Sequence, residues 1–231
     1  MKKLVLFDID GTILWTDGAG RRAIRDALEK EMGIAGPIET YRLDGKTDPQ
    51  IVRELMMMAG HPHAESEAHI QRVLSQYVTL LAEELETGRR NARLFPGIEP
   101  LLLELERRGD VVLGLLTGNV VDGAALKLGA VGLDPGRFRL GAYGSDAAER
   151  SALPPIAARR AESLMGRVPS GADVVIIGDT PADVTCGNSI GARAIGVGTG
   201  HYTRRQLLDA GAFAAFDNLV DVDFVLSAII E

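Results

Sequence analysis

This sequence has almost no cysteine, no long apolar run and no excess of basic residues. Its single cysteine, Cys186, excludes an intrachain disulfide and gives no sign of an oxidising compartment. Asp8 and Asp10 interrupt the N-terminal apolar stretch too early for a signal peptide, and no apolar run approaches the length of a bilayer span. The net charge of −7 argues against nonspecific nucleic-acid binding. We therefore expect a cytoplasmic protein without membrane or nucleic-acid partners.

What the chain does contain is enough hydrophobic sequence for a sizeable core, since 46% of its 231 residues are hydrophobic. Short apolar segments alternate with helical patterns, which predicts an α/β fold with a Rossmann-like parallel sheet flanked by helices. The predicted strands are residues 3–7, 111–117, 139–143, 174–178, 194–197 and 212–216. The predicted helices are residues 98–108, 120–128, 153–165, 182–190 and 204–209, with helix ends expected at Gly109, Gly129, Gly191 and Gly211.

One long interval contains no convincing strand. It is far longer than a crossover connection needs, because a whole βαβ unit takes only about 30 residues. We therefore predict an all-helical cap domain at residues 16–93, inserted into an α/β core formed by residues 1–15 and 94–231. Apolar residues recur there at helical spacing in three stripes: Ala23, Ile24, Ala27 and Leu28; Ile51, Val52, Leu55 and Met56; and Ile70, Val73, Leu74, Tyr77, Leu80 and Leu81.

Polar residues follow the predicted strands of the core. The carboxyl ends of parallel strands point to the same edge of a sheet, so these residues are expected to converge although they are distant in sequence. They comprise Asp8 and Asp10, then Thr117, Gly118 and Asn119, then the neighbourhood of Arg150, then Asp179 and Thr180 with Asp183 beyond.

Such a convergence places several negative charges at one site. Two unit charges about 4 Å apart interact by roughly 4 kcal/mol at an effective dielectric constant near 20, so ionised Asp8, Asp10 and Asp179 would repel one another strongly. A hard dication such as Mg²⁺, which takes oxygen ligands and pairs with phosphates, would remove most of this repulsion. Arg150 adds a fixed positive charge, and together the two cations would accept a phosphate dianion.

These residue types are those that phosphoryl transfer requires. A carboxylate can act as the nucleophile and form an aspartyl-phosphate, and a second carboxylate two residues later can act as general acid and then general base. The Thr117 hydroxyl can donate to a phosphate oxygen, and backbone amides of the turn after Asp8 can bind an anion. The sequence therefore predicts phosphoryl-transfer chemistry at the sheet edge.

Three segments resemble motifs of the haloacid dehalogenase-like hydrolase superfamily: FDIDGT its first motif, the threonine of LLTGN its second, and GDTPADV its fourth. The resemblance implies Asp8 as nucleophile and Asp10 as acid/base. It also implies Mg²⁺ held by the Asp8 carboxylate, the Asp10 backbone carbonyl and Asp179, with Asp183 as a second-shell or alternative metal contact. The order and spacing of the motifs agree over nearly the whole chain.

The third motif departs from the superfamily pattern, which usually has a lysine. Arg150 is the expected replacement, with Arg159 and Arg160 as alternatives. The helical insertion lies where the superfamily places its C1 cap, and residues 42–48 resemble the cap loop that enters the active site. Arg42 or Lys46 is therefore expected to contact the leaving group, with Gly118 and Asn119 also binding phosphate or substrate.

The resemblance implies a Mg²⁺-dependent phosphatase for a small phosphorylated metabolite, similar to the phosphoglycolate phosphatase branch and acting as a monomer or homodimer. A phosphomutase would share every core residue, and a phosphonate hydrolase would need a cap lysine, for which Lys46 is the candidate. A phospho-accepting signalling module is the alternative from another class, although its acidic pair would be adjacent in sequence and it would carry no large cap.

Two further patterns give weaker signals. His61, His63 and His69 invite a zinc-site interpretation, but a solvated helix start is favoured because cysteine ligands are absent and the stretch is polar. The glycine-rich residues 196–200 lack a following helix at the spacing of a dinucleotide-binding turn.

Overall fold

A six-stranded parallel sheet forms the centre of the structure, a computed structural model that describes residues 2–88 and 91–231. The strands in chain order are β1 (Lys3–Phe7), β2 (Leu14–Trp15), β3 (Arg93–Leu94), β4 (Val111–Leu116), β5 (Leu140–Ala142), β6 (Val174–Gly178), β7 (Arg193–Val197) and β8 (Ala214–Phe216). The central sheet has the order β5-β4-β1-β6-β7-β8. This arrangement confirms the predicted α/β fold class.

Helices cover both faces of the sheet and fill the insertion between β2 and β3. They are α1 (Ala19–Met32), α2 (Asp48–Met58), α3 (Glu67–Thr87), α4 (Ile98–Glu106), α5 (Val121–Ala130), α6 (Leu153–Arg160), α7 (Glu162–Met165), α8 (Pro181–Cys186), α9 (Arg204–Asp209) and α10 (Val222–Ile230). Among the described residues, no helix combines the length and the apolar character needed to cross a bilayer.

Strand β1 is buried on both faces, as the continuous apolar run predicted. Leu4 and Leu6 pack into one cluster with residues of α6, while Val5 and Phe7 pack into another with residues of α4, α5 and α10. In the paired register Phe7 lies opposite Leu115 of β4 and Ile177 of β6. The three strands therefore end side by side, and the residues that follow them share one edge of the sheet.

The helices of the insertion have a hydrophobic cluster of their own. The three predicted apolar stripes lie on α1, α2 and α3, and their residues are buried in this cluster except Leu80, which is partly buried against it. From the core, Val120 joins the cluster. Because the insertion has this separate hydrophobic cluster, we propose that residues 16–93 form a cap domain.

A short antiparallel ribbon of β2 and β3 joins the insertion to the sheet domain, with Leu14 opposite Leu94 and Trp15 opposite Arg93. Sequence patterning missed it, because two residues per strand are too few to show an alternation. The ribbon brings the start and the end of the insertion together.

Several predicted element ends differ from those in the structure. The predicted helix 153–165 is divided into α6 and α7 at Ala161, whose ψ of −13° relaxes the α geometry toward a 3₁₀ turn. Gly129 lies inside α5 instead of ending it, and the chain turns at Gly132, which has a φ of 75°. The predicted helix 182–190 becomes α8 followed by a 3₁₀ turn over Gly187–Ile190.

Candidate active site

The ends of β1, β4 and β6 bring together residues that are far apart in the sequence. Asp8, Thr117 and Asp179 are the first residues after these strands, and all three are buried. The predicted convergence at the carboxyl edge of the sheet is thus the arrangement that the structure has.

Three carboxylates meet at this edge. Asp8, Asp179 and Asp183 each place one oxygen within 4.8 Å of the others, and in the described part of the chain they are the one group of three or more potential metal ligands so arranged. The histidines considered for zinc instead stack, with the rings of His63 and His69 4.3 Å apart.

Arg150 is the cation that faces these carboxylates. Its Nη2 donates to Asp8 Oδ1 at 2.9 Å and also contacts Asp183. Its side chain is buried, and its Nε has no hydrogen-bond partner among the described residues. Arg160, one of the two alternatives to Arg150 in the sequence analysis, instead binds Asp146. Arg150 is therefore the arginine that contacts the acidic cluster.

Burial perturbs the protonation of the acidic cluster. Burial, together with the charge of Asp183, raises the pKa of Asp8 to about 7, although the Arg150 guanidinium acts to lower it. Burial and the charges of Asp183 and Asp8 also raise the pKa of Asp179 well above its ordinary value. One guanidinium therefore leaves an excess of negative charge, which a bound cation would neutralise.

Two glycines make room for the Asp179 carboxylate. A Cβ on Gly200 would lie 1.8 Å from Asp179 Oδ2, and one on Gly11 would lie 2.3 Å from it, so neither position tolerates a side chain without displacing the carboxylate. Thr12 Oγ1 donates to Asp179 Oδ1 at 3.2 Å. The glycine-rich segment after β7 thus shapes the acidic site, a role that its sequence pattern did not indicate.

Asp183 is fixed by the start of α8. Its Oδ2 accepts hydrogen bonds from the backbone N and the Oγ1 of Thr180, at 3.0 and 2.6 Å, and its own backbone N–H donates to Thr180 Oγ1. This reciprocal capping box leaves Oδ1 facing Arg150. Asp183 therefore supports the helix start and also positions the arginine.

The Asp10 side chain is not part of the acidic cluster and has other partners. Its Oδ2 accepts from Lys127 Nζ at 2.6 Å and from Asn119 Nδ2 at 2.8 Å, and Asn119 also binds the Thr117 hydroxyl at 2.8 Å. Asp8, Asp179 and Asp183, instead of Asp10, supply the converging carboxylates. The predicted metal contact through the Asp10 backbone carbonyl stays a prediction.

Sequence reasoning missed Lys127. This lysine of α5 is 4% exposed, and its Nζ also donates to Asn119 Oδ1 at 2.6 Å. A signal was present, because Lys127 lies at helical spacing within the buried stripe of Ala124 and Leu128. A lysine in an apolar stripe is rarely buried without a partner.

The loop before α2 lies directly over the sheet edge. The backbone N–H of Asp48 donates to the carbonyl of Gly118 at 2.8 Å, and a Cβ on Gly118 would lie 2.0 Å from the carbonyl oxygen of Lys46. Asp48 Oδ2 accepts from the backbone N of Val120 at 2.9 Å. Gly118 therefore contacts the cap loop, and its lack of a side chain permits the close approach.

The structure places the two predicted cap cations differently. Lys46 lines the cavity, but its Nζ binds Glu54 and Tyr41, each at 2.6 Å. The Arg42 side chain is 70% exposed and contacts Tyr202 at the outside of the loop. Arg42 is therefore not brought together with the other predicted site residues.

A cavity of about 190 Å³ lies between the sheet edge and the insertion. The predicted residues Asp8, Asp10, Thr117, Arg150 and Asp179 line it from the core. From the insertion the lining includes residues of α1, α2 and α3 and of the loop before α2. A ligand bound at the acidic cluster would therefore contact both parts of the chain.

Solved bacterial structures share this fold. The structure of CbbY from Rhodobacter sphaeroides in complex with phosphate has a TM-score of 0.75 at 21% sequence identity, covering 96% of each chain. A predicted phosphoglycolate phosphatase from Haemophilus somnus has a TM-score of 0.70 at 20% identity, covering 97% of this chain and 98% of that one. β-Phosphoglucomutase from Clostridium difficile has a TM-score of 0.74 at 18% identity, covering 100% and 98%.

Sequence comparison identifies the family directly. No curated protein matches the chain. The sequence model of the haloacid dehalogenase-like hydrolases matches residues 2–191, which include Asp8, Thr117, Arg150, Asp179 and Asp183. The chain is an enzyme that belongs to the haloacid dehalogenase-like hydrolase family.

Proposed function

We propose that this hydrolase is a Mg²⁺-dependent phosphatase that cleaves a small phosphate monoester through an aspartyl-phosphate on Asp8. The observation that carries the proposal is the Nε of Arg150, a buried donor beside the Asp8 carboxylate that has no hydrogen-bond partner within residues 2–88 and 91–231. Such a donor requires an acceptor, and a phosphoryl oxygen is the acceptor that guanidinium groups bind well. The name of the structural neighbour from Haemophilus somnus agrees with phosphatase activity.

The carboxylates of Asp8 and Asp179 would hold the metal ion, with the Asp10 carbonyl and Asp183 as further predicted contacts. Buried, mutually repelling oxygen ligands suit a hard dication. When bound, Mg²⁺ would supply charge neutralisation for the phosphoryl oxygens.

In the first step an Asp8 oxygen attacks the phosphorus atom, and the bond from phosphorus to the ester oxygen breaks. Arg150 binds a phosphoryl oxygen through its free donor, and the Thr117 hydroxyl donates to another. Asp10 gives its proton to the departing oxygen, while Asn119 and Lys127 hold its carboxyl group in place.

In the second step a water molecule attacks the phosphorus atom of the aspartyl-phosphate. Asp10 takes the proton of this water, the bond from phosphorus to Asp8 breaks, and inorganic phosphate leaves. The insertion covers the sheet edge and limits the access of bulk water during the first step.

The first test measures release of p-nitrophenol and inorganic phosphate from p-nitrophenyl phosphate, with Mg²⁺ and with a chelator. We expect turnover that requires Mg²⁺ and is lost in Asp8→Asn, since the amide is not a nucleophile. Asp122→Asn is the matched control, because Asp122 is exposed in the first turn of α5. A stable phosphorylated protein without turnover would contradict the proposal and indicate a signalling module.

A phosphomutase is the second candidate, since the structure from Clostridium difficile is named a β-phosphoglucomutase. The two activities differ in whether water or a second hydroxyl accepts the phosphoryl group. Incubation with hexose phosphates distinguishes them: a phosphatase releases inorganic phosphate, and a mutase produces an isomeric sugar phosphate. We expect release of phosphate.

The phosphonate hydrolase alternative has less support, because it needs an unprotonated lysine. Burial acts to lower the pKa of Lys46, but its hydrogen bonds to Glu54 and Tyr41 outweigh this effect and raise the pKa above the ordinary value. Lys46 is therefore held in the charged form, which does not form a Schiff base.

A further inference from the structure

Part of the cavity wall is polar but has no role in the phosphoryl transfer described above. Tyr77, on α3, lines the cavity and has a fully buried side chain. Its Oη has no hydrogen-bond partner in the described residues, 2–88 and 91–231. Because a buried hydroxyl without a partner is destabilising, folded proteins satisfy nearly all such groups. The missing acceptor is therefore to be sought in the molecule that the cavity binds.

Lys127 offers a second donor to the same part of the cavity. Its ammonium group has three hydrogens, and the contacts with Asp10 and Asn119 use two of them. Tyr77 comes from the insertion and Lys127 from the core, so a ligand that reached both donors would connect the two parts of the chain.

The two donors lie around one position, beside Gly20 of α1. A Cβ built on Gly20 would lie 3.4 Å from Lys127 Nζ and 3.8 Å from Tyr77 Oη. Both donors therefore lie close to the face of Gly20 that a side chain would cover, and the missing side chain lets a ligand group in the cavity approach the Gly20 Cα there. Gly20 lies inside a helix, where glycine is otherwise unfavourable compared with alanine.

Both polar groups at this position, the Tyr77 hydroxyl and the Lys127 ammonium, act as hydrogen-bond donors. The hydroxyl of Tyr77 stays protonated, because burial and the nearby charges of Asp48 and Asp10 raise its pKa well above the ordinary value. The Lys127 ammonium also donates and does not accept. A ligand atom between them must therefore be a hydrogen-bond acceptor.

We propose that Tyr77 and Lys127 bind an acceptor oxygen of the substrate's leaving group at the position beside Gly20, which makes Tyr77 a specificity-determining residue. The proposal rests on the phosphatase function, since it is the leaving group of a phosphate monoester that would occupy this part of the cavity. The oxygen is a hydroxyl or a carboxylate oxygen on the carbon skeleton.

Three phosphate esters of equal carbon number serve as probes. Apart from the ester oxygen, propyl phosphate has no oxygen on its carbon skeleton, glycerol phosphate has hydroxyl groups, and 3-(phosphonooxy)propanoate has a carboxylate and no hydroxyl. The measured quantity is kcat/KM of each oxygenated ester relative to that of propyl phosphate. Whichever oxygenated ester the unaltered enzyme prefers over propyl phosphate identifies the kind of oxygen bound.

The first variant, Tyr77→Phe, removes the hydroxyl and keeps the ring. We expect the preference for the oxygenated ester to fall by roughly fivefold, the usual effect of one neutral hydrogen bond. Because the hydroxyl has no partner among the residues that the structure describes, Tm should be unchanged or higher. A purely structural role for the hydroxyl would instead lower Tm and leave the preference unchanged.

The second variant, Gly20→Ala, fills the position with a methyl group. We expect KM for the oxygenated ester to rise by roughly tenfold or more, while Tm is unchanged or higher because alanine favours helix. Gly129→Ala is the matched control, since Gly129 is also helical and a Cβ there would meet nothing within 4 Å. It should leave KM unchanged.

Two different results overturn the proposal. If Tyr77→Phe and Gly20→Ala leave the preference among the three esters unchanged, the binding position is refuted, while Mg²⁺- and Asp8-dependent turnover of p-nitrophenyl phosphate still supports the phosphatase. If the unaltered enzyme hydrolyses none of the esters and no p-nitrophenyl phosphate, both proposals fail together.

Discussion

At the scale of single residues, Arg150 is the least conventional part of the site. The superfamily usually has a lysine in this motif, and the structure shows what an arginine adds. Its Nη2 contacts Asp8 and Asp183 at once, while Nε has no partner in the part of the chain that the structure describes and can bind a ligand. A lysine would carry the same charge, but it has one nitrogen instead of a planar fork.

The corresponding prediction concerns Arg150→Lys. We expect kcat to fall by roughly 10- to 100-fold, because the ammonium would keep the charge but lose one of the two directed contacts. Steady-state kinetics with p-nitrophenyl phosphate measures the effect. Arg159→Lys, an exposed position on α6, is the control and should behave like the unaltered enzyme. Equal kcat values for both variants would show that only the charge matters.

Sequence reasoning predicted some site residues and missed others for a physical reason. Asp8 and Asp179 follow buried strands, so their positions are fixed by the sheet and could be inferred from local pattern. Lys127 and Tyr77 lie within helices whose apolar stripes predict burial only. The stripe around Lys127 could have indicated a buried lysine with a partner, but which buried position faces the cavity depends on packing between elements distant in sequence.

At the scale of elements, the start of α2 joins the insertion to the core. Thr47 is the N-cap of α2, with its hydroxyl accepting from the backbone N of Gln50 at 3.2 Å. Asp48 instead reaches across to Val120. Burial raises the pKa of Asp48 to about 6, although Lys127 acts to lower it.

The raised pKa of Asp48 predicts a dependence of stability on pH. The folded protein binds this proton more tightly than the unfolded chain, so the free energy of unfolding falls as the pH rises from about 4 to about 6. Asp48→Asn removes this contribution and keeps an acceptor for Val120. Its stability relative to the unaltered protein should therefore increase by about 2 kcal/mol between about pH 4 and about pH 7.

Denaturant unfolding across this pH range measures the difference. Asp122→Asn, which changes an exposed aspartate, should give a constant difference from the unaltered protein. If Asp48→Asn also gave a constant difference, Asp48 would titrate alike in the folded and unfolded states.

Some strands and helices were predicted from the sequence more accurately than others. Strands β1 and β6 were predicted with the observed ends, because a buried strand is a continuous apolar run bounded by polar residues. The ribbon of β2 and β3 and the break at Ala161 were missed. Both depend on the geometry of one or two residues, which hydrophobic periodicity does not resolve.

At the scale of the whole molecule, the acidic cluster links metal binding to stability. Excess buried negative charge opposes folding, and a cation that binds only the folded state relieves it. At a Mg²⁺ concentration about 100 times its Kd, we expect Tm to rise by roughly 5–10 °C. Thermal unfolding with and without Mg²⁺ measures this shift.

Asp179→Asn separates metal binding from a general effect of salt. The variant should lose most of the Mg²⁺-induced rise in Tm. In the absence of metal it should be at least as stable as the unaltered protein, because one of the repelling charges is gone. An equal rise in both proteins would mean that Mg²⁺ acts elsewhere.

The ribbon of β2 and β3 has a consequence for how such a molecule can diversify. The chain leaves the core at Trp15 and re-enters it at Arg93, which is paired directly opposite. The insertion therefore begins and ends at adjacent positions. An insertion with adjacent ends can be exchanged, lengthened or deleted during evolution while the parallel sheet keeps its strand order. New substrate preferences can thus be acquired by one insertion event that leaves the chemical machinery untouched.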